Sequence, residues 1–93
     1  MDTVNLDGQS LDAVTFPTQN TKILVIRAPY GLLGCGYLSA ETAAKVGDAL
    51  AIVSGVASYD DMLNALVKAV SPAAEARGVQ PGMTGRAALQ KLL

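Results

Sequence analysis

The pattern of apolar and polar residues predicts two β-hairpins within residues 4–38. Residues 4–6 and 11–16 flank the dipeptide Asp7-Gly8, a strong signal for a two-residue hairpin turn. Residues 22–28 include four consecutive aliphatic side chains, which is typical of a strand that is covered on both faces. A turn then leads into residues 32–38, which we expect to pair with that strand as the second hairpin.

Helical periodicity begins after the second hairpin. Ser39 is a favourable N-cap, small residues recur behind it at helical spacing, and Gly47 provides a helix end. Residues 49–53 then predict a further buried strand. Ser58 predicts the start of a second helix, and Asp61 occupies the third helical position, where its carboxylate can form a short-armed capping box.

The last third of the chain predicts one short strand and two helices. Residues 66–70 fit either a helix tail or a strand, and a strand is favoured because Pro72 suits the first position of a new helix. That helix, over residues 73–77, should end at Gly78 in the left-handed conformation, and residues 84–92 predict the final helix. The order predicts an α+β fold: a mixed β-sheet built from two N-terminal hairpins plus one or two later strands, with three to four helices packed on one face.

Composition adds an expectation about assembly. The chain has 93 residues, which is the length of a single domain, and we expect one domain spanning 1–93. Hydrophobic residues make up 51% and charged residues only 16%, against roughly 25% charged in ordinary soluble domains. Because a small body cannot bury so many apolar side chains, we expect some of them to form a subunit interface in a homo-oligomer.

Charge and cysteine usage exclude several classes of partner. The net charge is −1 and the seven basic residues stand singly, so no cationic run is available to follow nucleic-acid phosphates, and no nucleic-acid partner is expected. The start of the chain shows no signal-peptide pattern, and the longest apolar runs have four or five residues, so no membrane association is expected. A single cysteine permits no internal disulfide, which suits a reducing compartment, and we expect a cytoplasmic location.

The absence of histidine limits the available chemistry. It removes Ser-His-Asp and Cys-His catalysis within one chain, histidine general bases and the commonest metal ligand. No Cys/His spacing and no carboxylate cluster predicts a metal site, and no motif calls for a cofactor.

The segment 31–37, Gly-Leu-Leu-Gly-Cys-Gly-Tyr, is the most unusual stretch. Its glycines leave one face of a strand without side chains, so Gly34 and Gly36 are candidates for holding a small metabolite or anion through exposed amides. The favoured alternative is that the following helix or a neighbouring subunit packs there. Cys35 is either a small buried hydrophobe or, if a helix N-terminus or a cation stabilises its thiolate, a candidate nucleophile.

Two further charged residues are candidates for function. Asp48 adjoins a predicted buried strand and could act as a general base, although an aspartate after glycine more often satisfies turn amides. Arg86 lies in the first turn of the last helix, where the helix dipole disfavours a cation, so an anionic ligand or a carboxylate across an interface would explain it. An ordinary surface arginine is the competing interpretation.

The chain from residue 23 onward resembles the YunC-like family of small proteins of uncharacterised function. The resemblance is carried by the strand LVI and by the segments YGLLGCGYLSAETAAKVGDALAIVSGV, YDDMLNA, AAEARGV and PGMTGRAAL. Two positions depart from the family pattern: Gly34 replaces a larger apolar residue, and Ala87 replaces a glutamate at a capping-box position. The resemblance implies an α+β fold and an intracellular home, and it implies no reaction.

Two hypotheses of different classes follow. The first is a homo-oligomeric module that packs a subunit or binds a small metabolite or anion near the glycine-rich cysteine strand. The alternative is a small enzyme that uses Cys35 or Asp48, with backbone amides of residues 34–36 stabilising negative charge.

Overall fold

The computed structural model describes residues 1–93, which form one six-stranded sheet and four helices. The strands are β1 Asp2–Leu6, β2 Gln9–Pro17, β3 Lys22–Ala28, β4 Gly31–Gly34, β5 Leu50–Ile52 and β6 Ala69–Val70. The helices are α1 Ala40–Val46, α2 Tyr59–Asn64, α3 Pro72–Ala76 and α4 Gly85–Lys91. None of these helices has the length and apolar character required to cross a lipid bilayer.

The strands lie side by side in the order of the sequence, β1 to β6. Every neighbouring pair is antiparallel except β4 and β5, which are parallel and are joined through α1. The predicted mixed sheet with two N-terminal hairpins is therefore confirmed. The first hairpin turns at Asp7 and Gly8, whose φ angles of 51° and 83° match the two-residue turn that the dipeptide predicts.

Strand β4 is shorter than predicted, ending at Gly34 instead of residue 38. The chain turns immediately afterwards, and the N–H of Leu38 donates to the carbonyl of Cys35 at 3.1 Å. The turn directs the chain away from the sheet and into α1. Tyr37 and Leu38 therefore precede a helix instead of extending β4.

Side-chain caps fix the helix starts where the sequence predicts them. The hydroxyls of Ser39, Ser58 and Thr84 each accept a hydrogen bond at 3.1 Å from the backbone N–H three residues later. Gly47 ends α1 with φ 82°. The carboxylate of Asp61 accepts the N–H of Ala57 at 3.0 Å, one residue before the position that a capping box would use.

The ambiguous segment 66–70 divides into two parts. Leu66 forms a single bridge with Thr84, and only Ala69–Val70 form a strand, antiparallel to β5. Helix α3 begins at Pro72 and the chain leaves it at Gly78, whose φ of 93° is left-handed as predicted.

Helices cover the sheet unequally. Side chains of α2, α4 and the α3 region pack with the sheet in one core of twenty buried residues, which includes Leu24, Ile26 and Leu33. Helix α1 lies against the opposite face, where Ala43 packs on Leu50 and Ile52. The expected packing on one face thus holds for three of the four helices. Helix α1 is the exception because β4 and β5 carry aliphatic side chains on both faces of the sheet, and α1 buries those on the second face.

Candidate functional site

Cys35 lies at the end of β4 with its thiol inside the protein. The residue is 4% exposed, and Sγ accepts the N–H of Leu24 at 3.4 Å. The side chain of Leu38 fills the space above Gly34, and it would have to move if position 34 carried a side chain. The object that approaches this glycine is therefore the segment leading into α1, in agreement with the packing interpretation of the sequence.

Gly36 borders a small cavity of about 180 Å³ beside Cys35. Ser54 and Gly55 line the same cavity, because β4 and β5 are parallel and end next to each other. The N–H groups of Gly36 and Gly55 donate to no acceptor in the protein. Lys22 supplies the one cation in the lining, and its Nζ donates to the carbonyl of Ala57 at 3.4 Å.

Asp48 lies at the other end of the parallel pair. It follows Gly47 and borders a cleft of about 560 Å³. Its backbone carbonyl accepts the hydroxyl of Ser71 at 2.7 Å, and the same hydroxyl accepts the N–H of Leu50 at 2.9 Å. Ser71 is 1% exposed, so this pair of bonds fixes the start of β5 and places Asp48 at the mouth of the cleft.

The two candidate catalytic residues cannot share one reaction. Cys35 follows the last residue of β4, whereas Asp48 precedes the first residue of β5, and the strands run in the same direction. In the register of the pair Cys35 is level with Val53, five residues beyond Asp48, so the two positions are about 16 Å apart along the strands at roughly 3.3 Å per residue. Any function of Cys35 therefore involves the small cavity that it lines, and any function of Asp48 involves the larger cleft.

Two arginines and a tyrosine line the cleft beside Asp48. The guanidinium of Arg77 lies 4.1 Å from the centre of the Tyr30 ring, a cation–π contact. Arg27 forms an ion pair of 2.6 Å with Asp12. Sequence reasoning did not single out Tyr30, Arg77 or Ser71. The available signals were weak: Tyr30 is an aromatic residue in a predicted turn, and Arg77 precedes the glycine that ends a predicted helix.

Arg86 lies apart from both cavities. It is exposed on the first turn of α4, forms no ion pair, and lines neither the cavity of Cys35 nor the cleft of Asp48. The structure therefore does not bring it together with Gly34 or Gly36.

One face of the sheet is left largely without cover, and we call it the open face. By strand alternation and register it presents the outward side chains of β2, β3 and β4, with Met1 beside them: Met1, Asp12, Val14, Phe16, Val25, Arg27 and Leu32. All of these except Phe16 line a shallow groove of about 200 Å³. Val14 is 40% exposed and Phe16 is 66% exposed.

Comparisons with known proteins cover nearly the whole chain. A family model described as a domain of unknown function, DUF1805, matches residues 34–92. The uncharacterized protein YunC of Bacillus subtilis (strain 168) is 31% identical over 94 residues, which span 97% of this chain and 93% of that protein. The crystal structure of TA1206, a protein of unknown function from Thermoplasma acidophilum, matches with a TM-score of 0.93 and 36% identity, covering 99% of this chain and 90% of that one.

Proposed function

This chain belongs to the DUF1805 family, as the YunC-like pattern of its sequence indicated, and we propose that it is a one-domain cytoplasmic module that forms a homo-oligomer through its open face. The observation that carries the proposal is the contrast between the two faces of the sheet. Three helices bury one face, whereas β2 and β3 present Val14, Phe16 and Val25 on the other without a covering element. The cytoplasmic location is supported by the single cysteine, which suits a reducing compartment.

The apolar surface continues beyond the open face. A second groove of about 340 Å³ runs along α1 and is lined by Leu32, Tyr37 and Val46 among others. Leu32 belongs to both grooves, so the two surfaces are continuous. Most of the large apolar side chains that the protein exposes border this surface: Met1, Val14, Phe16, Tyr37 and Val46. A contiguous apolar surface of this kind marks an interaction site.

The charge of the open face is compatible with a second copy as the occupant, and the protein has enough surface to supply a standard interface. The only charged side chains of the open face, Asp12 and Arg27, form an ion pair with each other, so the face carries no net charge. Two copies can therefore approach each other without repulsion. A standard interface takes roughly 800 Å² from each partner, about a sixth of the total surface of 5143 Å².

Sedimentation velocity tests the proposal on the purified full chain. The wild-type protein should sediment as an oligomer at roughly micromolar concentration, and Val14→Asp should shift it to a monomer because a carboxylate in an apolar interface loses its hydration. Leu66→Asp is the matched control, since Leu66 is 60% exposed but lies outside the open face. A wild-type monomer at every concentration tested, or equal effects of both substitutions, would contradict the proposal.

The cavity beside Cys35 supports a second candidate function, the binding of a small metabolite or anion. Gly36, Gly55 and Lys22 line the same small cavity, and the N–H groups of the two glycines have no acceptor in the protein. Backbone amides and a cation are the groups that hold carboxylates and phosphates in proteins.

Alkylation of Cys35 separates this binding role from the enzyme alternative. Because the thiol is buried and already accepts a hydrogen bond, we expect no reaction with iodoacetamide until the protein unfolds. Rapid reaction below about pH 7 would instead indicate a stabilised thiolate and favour the enzyme. Asp48, the other proposed catalytic residue, lies in a different cleft and would be unaffected by this result.

A further inference from the structure

Two opposite charges without partners line the cleft at the Gly31 end of β4. Arg77 has no carboxylate within 4.0 Å, since the two ion pairs of the protein join other residues. No side-chain hydrogen bond involves its guanidinium or the carboxylate of Asp48. The same cleft of about 560 Å³ is therefore lined by a donor group and an acceptor group that have no ion pair or side-chain hydrogen bond within the protein.

Arg77 makes a cation–π contact instead of an ion pair with a carboxylate. Its guanidinium lies on the ring of Tyr30 at 4.1 Å, and the backbone N–H of Tyr30 donates to the carbonyl of Leu92 at 3.0 Å. The side chain of Lys91 lies over Gly78, directly after Arg77, but Lys91 does not line the cleft. A planar guanidinium that is fixed by stacking keeps its N–H groups available for a carboxylate.

The backbone of Asp48, which lines the same cleft, is also fixed. Gly47 ends α1 in the left-handed conformation, and the buried Ser71 hydroxyl fixes the backbone of Asp48. The carboxylate itself remains exposed. Apart from the two charged groups and Arg27, the cleft lining is apolar, aromatic or without a side chain, and it includes Gly31, Ala49 and Ala73.

We propose that this cleft binds a small zwitterion, namely a free amino acid, with the ligand carboxylate on Arg77 and the ligand ammonium on Asp48. The volume is within the range of roughly 300–1,000 Å³ that holds small ligands, and the alanines provide a surface for an aliphatic side chain. Arg27 also lines the cleft, but its charge is compensated by Asp12, so Arg77 is the primary anchor. The proposal concerns a different cavity from that of Cys35, and the cleft shares Leu32 with both apolar grooves and Asp48 with the groove along α1.

The expected affinity is modest. Both charged side chains are exposed, so water competes with the ligand for each of them. We expect a dissociation constant in the millimolar range. Because both charges contribute, a ligand with only one of them should bind at least about tenfold more weakly.

An NMR titration of the wild-type protein tests the proposal. The twenty common amino acids are added singly, and acetate and methylammonium serve as probes that carry only one of the two charges. At least one amino acid should produce saturable shifts at the amides of Gly31, Gly47 and Asp48. Acetate and methylammonium should bind at least about tenfold more weakly than that amino acid.

Charge-neutral variants and matched controls complete the experiment. Arg77→Gln and Asp48→Asn should each weaken binding by about tenfold or more, whereas Arg86→Gln and Asp60→Asn, which remove the same charges outside the cleft, should leave it unchanged. The proposal is overturned if no amino acid gives saturable shifts, or if the shifts arise outside the cleft. It is also overturned if acetate binds as well as the amino acid and Asp48→Asn has no effect, since the cleft would then be a simple anion site.

Discussion

The two faces of the sheet have the same kind of strand residues but different surroundings. On the covered face Leu24 and Ile26 of β3 are 1% and 0% exposed, beneath the helices. On the open face Val14 and Phe16 of β2 remain 40% and 66% exposed. A chain of 93 residues supplies three helices for one face and only the short α1 for part of the other. An apolar face that the chain does not cover itself is a surface for another molecule.

Truncation should destabilise the protein much more on the covered face than on the open face. Ile26→Ala removes a fully buried side chain and leaves a cavity, so the free energy of unfolding should fall by about 2–5 kcal/mol. Val14→Ala on the open face should cost less than about 1 kcal/mol in the dilute monomer, because Val14 is already in contact with water. Urea denaturation of both variants provides the measurement. Equal losses in the free energy of unfolding would contradict the view that one face is covered and the other is open.

Close packing on the covered face should also make one glycine essential. A Cβ at the buried Gly85 would collide with the backbone carbonyl of Met62, so Gly85→Ala should destabilise the protein by about 1–3 kcal/mol or more. Gly36→Ala is the control, because a Cβ there meets only Ser54 at 3.7 Å. Thermal unfolding monitored by circular dichroism should show a large decrease in Tm for the first variant and little change for the second. A stable Gly85→Ala protein would show that α2 and α4 are less closely packed than the structure indicates.

A smaller effect is expected at the edge of the covered face. Tyr59 of α2 donates its hydroxyl proton to Asp2 of β1 at 2.6 Å, and burial together with this bond raises the pKa of Tyr59 above its usual value of 10.0. The bond needs a protonated hydroxyl, so its contribution is present below about pH 10 and is lost as the pH rises through the folded-state pKa. Tyr59→Phe should therefore cost about 1 kcal/mol at neutral pH. Urea denaturation should show that difference shrink at high pH, and a constant difference would contradict the assignment.

The smallest effect concerns the residue at which the chain departs from the family pattern. Thr84 already caps α4, but its own N–H donates to no acceptor in the protein, and the first turn of α4 contains no acidic residue. Ala87→Glu should complete a capping box and stabilise the protein by about 0.5–1 kcal/mol. Urea denaturation measures the change. No gain would mean that the half-buried position 87 cannot accommodate the longer side chain.

Local signals predicted most of the fold because their physical causes are local. Asp7-Gly8 between two strand segments favours a tight turn, and the caps at Ser39, Ser58 and Thr84 depend on a hydroxyl and an N–H three residues apart. The position of α1 on the opposite face could not be predicted, because it depends on which side of the sheet the later helices occupy. The end of β4 at Gly34 also depends on a tertiary contact, because the chain turns back so that Leu38 packs over that glycine.

The candidate site was only partly predictable. The sequence drew attention to Cys35 and Asp48, but their separation at opposite ends of the parallel pair follows from the pairing of β4 and β5. Arg77 and Tyr30 are 47 positions apart in the sequence. They meet because the turn after β3 and the end of α3 lie at the same edge of the fold, and no sequence motif records that contact.

Contacts between copies of the chain test the central claim most directly. In a sample that mixes isotope-labelled and unlabelled protein, filtered nuclear Overhauser spectra report only protons of different copies. The account predicts intermolecular contacts at the methyl groups of Val14 and Val25 and at the ring of Phe16. Intermolecular contacts confined to Leu66 and the helical side, or none at concentrations that saturate any association, would contradict it.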